Sequence, residues 1–263
     1  MNIALRDALH AEWTKLRTLP GTGWLLLGVV AVTVIVGATV SASLGCTSSA
    51  GCHPDVTKLS LTGTDMSQAV VAVVAVLAVS GEYGTGMIRA TLAAMPRRAT
   101  VLGAKAAVVA AVTLAAGVPA VLGSVLAGRL ILPGHGYTRA NGYPALSLAN
   151  GTVLRAAVGT VLYLALVALL SLGVATAVRD AAVAIGAVLG VLYLFPILSQ
   201  VVGSPGVARQ LDQIGPMTAG LEIQDSIGLH GLPISPWAGL GVTAAWAAAA
   251  LLAGGLLLGV RDA

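Results

Sequence analysis

Apolar residues in this chain come in long unbroken runs, and short charged segments separate each run from the next. Six runs stand out: Trp24 to Leu44, Met66 to Gly81, Ala106 to Gly128, Ala156 to Val178, Ala181 to Gly203 and Trp237 to Val260. None alternates with a period of two, so the pattern predicts helices rather than barrel strands. About 20 apolar residues cross a hydrocarbon core of roughly 30 Å, and five of the runs reach that length. The second has only 16 residues, about 24 Å of helix. It is expected to extend back toward Leu59, which buries Asp65 near an interface. The chain thus reads as one all-α integral membrane domain over residues 1–263. Its spans are predicted over 22–44, 59–81, 104–130, 154–178, 181–203 and 237–260. A five-span alternative, without the second run, puts the two termini on opposite sides.

Residues 1–20 predict an N-terminal amphipathic, interfacial helix. At about 100° per residue, Leu5, Leu9, Trp13 and Leu16 share one arc, with Arg6, His10 and Arg17 beside or opposite it. Trp13, Lys15 and Arg17 are its candidate contact residues. Such a helix either serves as a basic topogenic leader or lies in the headgroup plane, where a partner can push it. Pro20 and Gly21 are expected to end it. The fourth and fifth spans, joined only by Arg179 and Asp180, predict a tight hairpin. Residues 204–236 form the longest outer loop, in which prolines, Pro216 among them, surround Ile214, Met217, Leu221, Ile223 and Ile227. That mixture predicts a broken segment dipping over the outer mouth, with Pro216 and Glu222 as candidate gate residues; a plain surface loop is the alternative. Glycine pairs four apart, Gly186 with Gly190 and Gly255 with Gly259, predict close helix packing.

Composition agrees with the pattern. Hydrophobic residues make up 57% and charged residues 9% of the chain, and the mean hydropathy is +0.93, whereas ordinary soluble domains carry roughly 25% charged residues. Charge then sets an expected orientation. With six spans and an inner N-terminus, the inner segments hold nine cations against five acids, and the outer segments are neutral. Because short cytoplasmic loops retain Lys and Arg, both termini are expected in the cytoplasm. The net charge of +4 is then topogenic, and no nucleic-acid partner is needed to explain it. The first run lies too far from the start to read as a cleaved leader. Cys46 and Cys52 share the first outer loop, where a disulfide or two free thiols are both open. A metal site of Cys46, Cys52 and His53 lacks a fourth ligand at any recognisable spacing.

Motifs for catalysis are missing. There is no Gly-x-x-x-x-Gly-Lys-Ser/Thr phosphate loop, no His-Glu-x-x-His and no Gly-x-Ser-x-Gly. The chain therefore reads as no enzyme, with no catalytic residue, no metal and no cofactor of its own. Ionisable residues are also missing from the middle of the spans, which argues against ion-coupled carriers.

The segment from Gly81 to Lys105 breaks this oily pattern with Glu82, Arg89, Arg97, Arg98 and Lys105. It reads as a cytoplasmic loop over 81–105. Its Gly81-Glu-Tyr-Gly-Thr-Gly-Met-Ile-Arg-Ala-Thr-Leu, followed by Pro96-Arg-Arg and Lys105, resembles the loop after the second span of type 2 ATP-binding-cassette (ABC) exporter permeases. The resemblance is to the actinobacterial drug-efflux kind. Glu12-Trp-Thr-Lys-Leu-Arg-Thr, Pro216-Met-Thr-Ala-Gly, Ser235-Pro-Trp-Ala-Gly and the terminal Arg261-Asp-Ala match the style of that family in the same order. Gly84 stands where relatives often carry a basic residue, and Met87 replaces a common threonine.

The resemblance implies a multi-pass subunit of a bacterial plasma membrane. Two permease subunits, alike or different, would join two soluble ATPase subunits that hold ATP and Mg. Membrane lipid surrounds the spans. It further implies that Glu82, Tyr83, Arg89, Pro96, Arg97, Arg98 and Lys105 belong to a coupling element that docks on the ATPase, with Glu82 pairing to Lys15 or Arg17. A wall of Leu, Val and Ala suits an amphipathic substrate such as a drug, lipid or modified peptide. The competing reading is a non-transporting sensor or immunity scaffold that binds the same kind of ATPase.

Overall fold

The computed structural model describes residues 3–18, 20–45, 54–84, 86–87 and 98–260. Six of its helical stretches are long and apolar enough to cross a membrane: Gly21–Ser43, Val56–Gly84, Arg98–His135, Gly151–Val178, Ala181–Val201 and Pro236–Val260. No strand occurs among the described residues. In chain order the helices are α1 (Ile3–Thr18), α2 (Pro20–Ser43), α3 (Val56–Leu61), α4 (Thr64–Gly84) and α5 (Arg98–Ile131). They continue as α6 (Gly151–Val178), α7 (Ala181–Val201), α8 (Pro205–Ile214), α9 (Pro216–Leu221) and α10 (Pro236–Val260).

α6 is the axis of the bundle. Tyr163, Leu164, Val167, Ala168, Leu170 and Leu172 are buried along it, packed with Val71, Val76 and Val79 of α4 and with Leu192 of α7. α2, α7 and α10 keep most of their surface outward, as expected of helices whose solvent is lipid. α6 and α10 approach closely where Gly173 meets the Ala250 backbone and Gly254 meets Gly173, an association that small residues permit. Trp24 at the start of α2 and Trp237 at the start of α10 are 76% and 55% exposed. Both sit at helix ends, where amphipathic indoles favour the membrane interface.

Several local features have a direct physical cause. The second span is broken at Thr62 and Gly63, which separates α3 from α4. A β-carbon on Gly63 would lie 2.0 Å from the Thr33 carbonyl oxygen, so the break brings this backbone against α2 in a way that only glycine allows. Arg179 adopts φ 68° and closes α6, and the Asp180 carboxylate accepts from the Val183 amide to cap α7 at 2.8 Å. Those two residues make the whole turn. α5 has 34 residues, about 51 Å, and so outreaches a hydrocarbon core of roughly 30 Å. Pro119 and Pro196 lie inside continuous helices.

The loop expected over 81–105 is shorter here. α4 continues to Gly84 and α5 starts at Arg98, so Glu82, Tyr83, Arg98 and Lys105 sit on helix ends. Of the described charges that suggested an exit from the bilayer, Glu82 and Lys105 are paired with each other across helices and Arg98 bonds to α10 carbonyls. In the long segment before α10, α9 packs among α6, α7 and α10. A β-carbon on Gly220 would strike both the Tyr163 ring and Thr243 Oγ1, and Thr243 Oγ1 donates to the Pro216 carbonyl at 2.9 Å. Tyr163 lies about 18 Å along α6 from its start, so α9 reaches well into the bundle.

Candidate functional site

Four charged side chains meet at the end of the bundle that carries α1. Lys15 Nζ lies 2.8 Å from Glu12 Oε1 and 2.7 Å from Glu82 Oε1. Lys105 Nζ lies 2.6 Å from Glu12 Oε2 and 3.0 Å from Glu82 Oε1. Acids and bases alternate, so each lysine touches both carboxylates and the ring has no net charge. Glu12, Glu82 and Lys105 are 3%, 5% and 5% exposed, and Lys105 also donates to the Ala78 carbonyl. Burial alone would depress the Lys15 ammonium, but Glu12 and Glu82 outweigh it and hold the group above its ordinary 10.5.

Chain geometry explains the ring. Glu12 and Lys15 are one helical turn apart on α1, and Ala8, at 0% exposure, completes the same face. That face turns inward, next to the Leu9 and Trp13 arc, and leaves Trp13 49% exposed. Glu82 comes from the last turn of α4 and Lys105 from the third turn of α5. Three separate elements are therefore tied by one cluster. Of the two partners expected for Glu82, the structure takes Lys15; Arg17 is exposed.

Around the ring, the remaining helix ends are tied as well. The Arg179 guanidinium stands over the Tyr83 ring, 5.4 Å from its centroid, an attractive cation–π placement. Arg98 donates to the Leu258 carbonyl, and to Gly259 O at 3.4 Å, linking the start of α5 to the last turn of α10. Arg89, Pro96 and Arg97 lie outside the described residues, as do Cys46 and Cys52. Sequence reasoning passed over Glu12 and Arg179 as site residues. Their signals were an acid one turn before Lys15 and a lone cation at a two-residue turn.

At the opposite end, a second cluster clasps the segment after α9. The Asp55 carboxylate caps α3 through the Thr57 and Lys58 amides and accepts from Ser226 Oγ at 2.6 Å and the Ile227 amide at 3.0 Å. Lys58 Nζ pairs with Asp225 at 2.8 Å, and Arg155 donates to the Asp225 carbonyl. Pro216 is buried and opens α9. Burial, and then the neighbouring Asp225, push the Glu222 carboxyl up to about 7. A cleft of about 440 Å³ lies beside this clasp, between Val56, Tyr143, Val153 and Ile227. Between the two ends, Tyr163 donates to Gln68 Oε1, and the Gln68 amide donates to the Asp65 carbonyl at 3.1 Å. Gln68 and Tyr163 are both fully enclosed.

Among the described residues no group of three His, Cys, Asp or Glu side chains is placed to hold a metal ion. Neither a protein-family model nor a curated protein matches this chain.

Proposed function

We propose that this chain is the permease subunit of an ABC exporter, and that a separate ATPase drives it through the α4–α5 connection. The observation that carries the reading is the charge ring. It joins α1, α4 and α5 at the point where the basic segment 85–97 emerges, so force applied there would move three helices together rather than bend one. With its two buried carboxylates and a buried ammonium, the ring holds only while its partners stay in register, which suits a mechanical joint. The excess of cations at this end supports a cytoplasmic location for it. There Arg89 and Arg97 would meet acids on the ATPase, and Tyr83 and Arg98, held by the ends of α6 and α10, would pass the motion on. Charged contacts of that kind set partner choice and association rate more than affinity.

The chain supplies no phosphate-binding loop, so ATP and Mg belong to the partner, and a second permease subunit completes the assembly. The apolar wall suits an amphipathic substrate moved outward. The test is reconstitution of the chain with a candidate soluble ATPase subunit. Substrate-stimulated ATP hydrolysis should fall in an Arg89→Ala/Arg97→Ala variant that still inserts and still binds substrate. Unchanged stimulation would overturn the coupling role, and ATPase binding without any vesicle efflux would favour the sensor reading.

A further inference from the structure

At the end that carries α1, a groove runs between the start of α5 and the end of α10. Ala99, Leu102, Gly103 and Ala106 form one wall, at the spacing of a single helix face, and Leu252, Gly255 and Leu256 form much of the other. Its volume is about 380 Å³, within the 300 to 1,000 Å³ typical of small-ligand sites. Glycine makes the space. A β-carbon on Gly103 would meet nothing within 4 Å, and one on Gly255 would press on Leu102 at 3.3 Å. Leu252 and Leu256 are 68% and 70% exposed, so the groove opens sideways, on the outer surface of the bundle. Only its end is polar. There Arg98, bridging to the Leu258 and Gly259 carbonyls, lines the mouth.

We propose that this groove holds one acyl chain of an acidic membrane phospholipid, with the headgroup phosphate on Arg98. A purely apolar furrow would take any lipid tail. The cation fixed at the membrane-surface end adds the selectivity, because a guanidinium recognises phosphate through charge-assisted hydrogen bonds. The contact with the α10 carbonyls holds that guanidinium at the mouth before any lipid arrives, which lowers the ordering cost of binding. A bound lipid would then bridge the first turn of α5 and the last turn of α10. This inference rests on the membrane-spanning helices alone and is independent of the transport reading.

Native mass spectrometry of the detergent-purified chain tests it, with phosphatidylglycerol and phosphatidylcholine of identical acyl chains as probes. One phosphatidylglycerol should be retained per chain, about tenfold more strongly than phosphatidylcholine. Gly103→Leu, which fills the groove from an open position, should lose both lipids while unfolding at the wild-type temperature. Arg98→Gln should retain the two lipids equally. Equal retention by the wild type would overturn the proposal. So would wild-type retention by Gly103→Leu, or a dimer that covers the groove and holds neither lipid.

Discussion

A β-carbon built on Gly239 would stand 1.9 Å from the Ala219 carbonyl oxygen, so α10 admits α9 only where that residue has no side chain. Gly239→Ala should therefore destabilise the fold by about 1–3 kcal/mol or more, through overpacking against backbone that cannot rotate away. Gly190→Ala, whose new carbon meets nothing within 4 Å, should be close to neutral; thermal unfolding in detergent compares the two. Glu222 carries a second prediction. Its carboxyl is raised from 4.5 to about 7, so the protonated form is favoured by the fold. The associated stability is complete below pH 4.5, declines as pH rises toward 7, and is gone above it. The wild type should thus unfold at a lower temperature at pH 8 than at pH 5. Glu222→Gln should flatten that dependence, and an equally steep profile in the variant would remove Glu222 as its source. Lys15 gives no such switch, because its raised ammonium loses its contribution only above 10.5.

At the scale of elements, the charge ring and the distal clasp hold α1 and the segment after α9 to the bundle. Lys105→Met leaves the two buried carboxylates to share Lys15, an excess of buried negative charge that should cost about 3 kcal/mol, whereas Glu82→Gln with Lys105→Met should recover some of that loss. A double-mutant cycle on unfolding free energy reads the coupling, and strict additivity would mean that the two groups act separately. Asp55→Ala removes a helix cap worth about 1 kcal/mol together with the bonds to Ser226 and Ile227. Limited proteolysis should then cut the segment between α9 and α10 sooner than in the wild type. Some of this was legible in the sequence. A partner for Glu82 on α1, Lys15 or Arg17, was expected from the family resemblance, and the structure pairs it with Lys15. The inward turn of Ala8 and Glu12 was not, because the apolar arc of α1 runs through Leu9 and Trp13. Helix periodicity says which residues share a face but not which of two adjacent faces a neighbouring helix will take. The pairing of Asp55 with Ser226 was hidden for another reason: it joins positions 171 residues apart, and no local pattern carries that information.

Across the whole molecule, α1 and the α6–α7 turn lie at one end of the bundle and the segments after α5 and α9 at the other, so six crossings would put them on opposite sides of a membrane. In a version with Cys46 and Cys52 replaced by serine, single cysteines at His10 and Ala182 should react with an impermeant thiol reagent from one face of the membrane. Cysteines at Asn141 and Ile227 should react from the other; labelling of His10 and Asn141 from the same face would exclude six spans. The existence of six helices long and apolar enough to cross a membrane was determined by the sequence, because about 20 apolar residues in a row have few other ways to satisfy their backbone in lipid. The lack of a phosphate loop was equally local. Tertiary structure decided what the sparse polar residues do. It drew Glu12, Lys15, Glu82 and Lys105 into one neutral ring, set Arg98 on the end of α10, and broke the second span at Gly63 where α2 presses against it. Each of these depends on which helices become neighbours, and nearly uniform apolar surfaces leave that choice to close packing and a few buried charges rather than to any pattern along the chain.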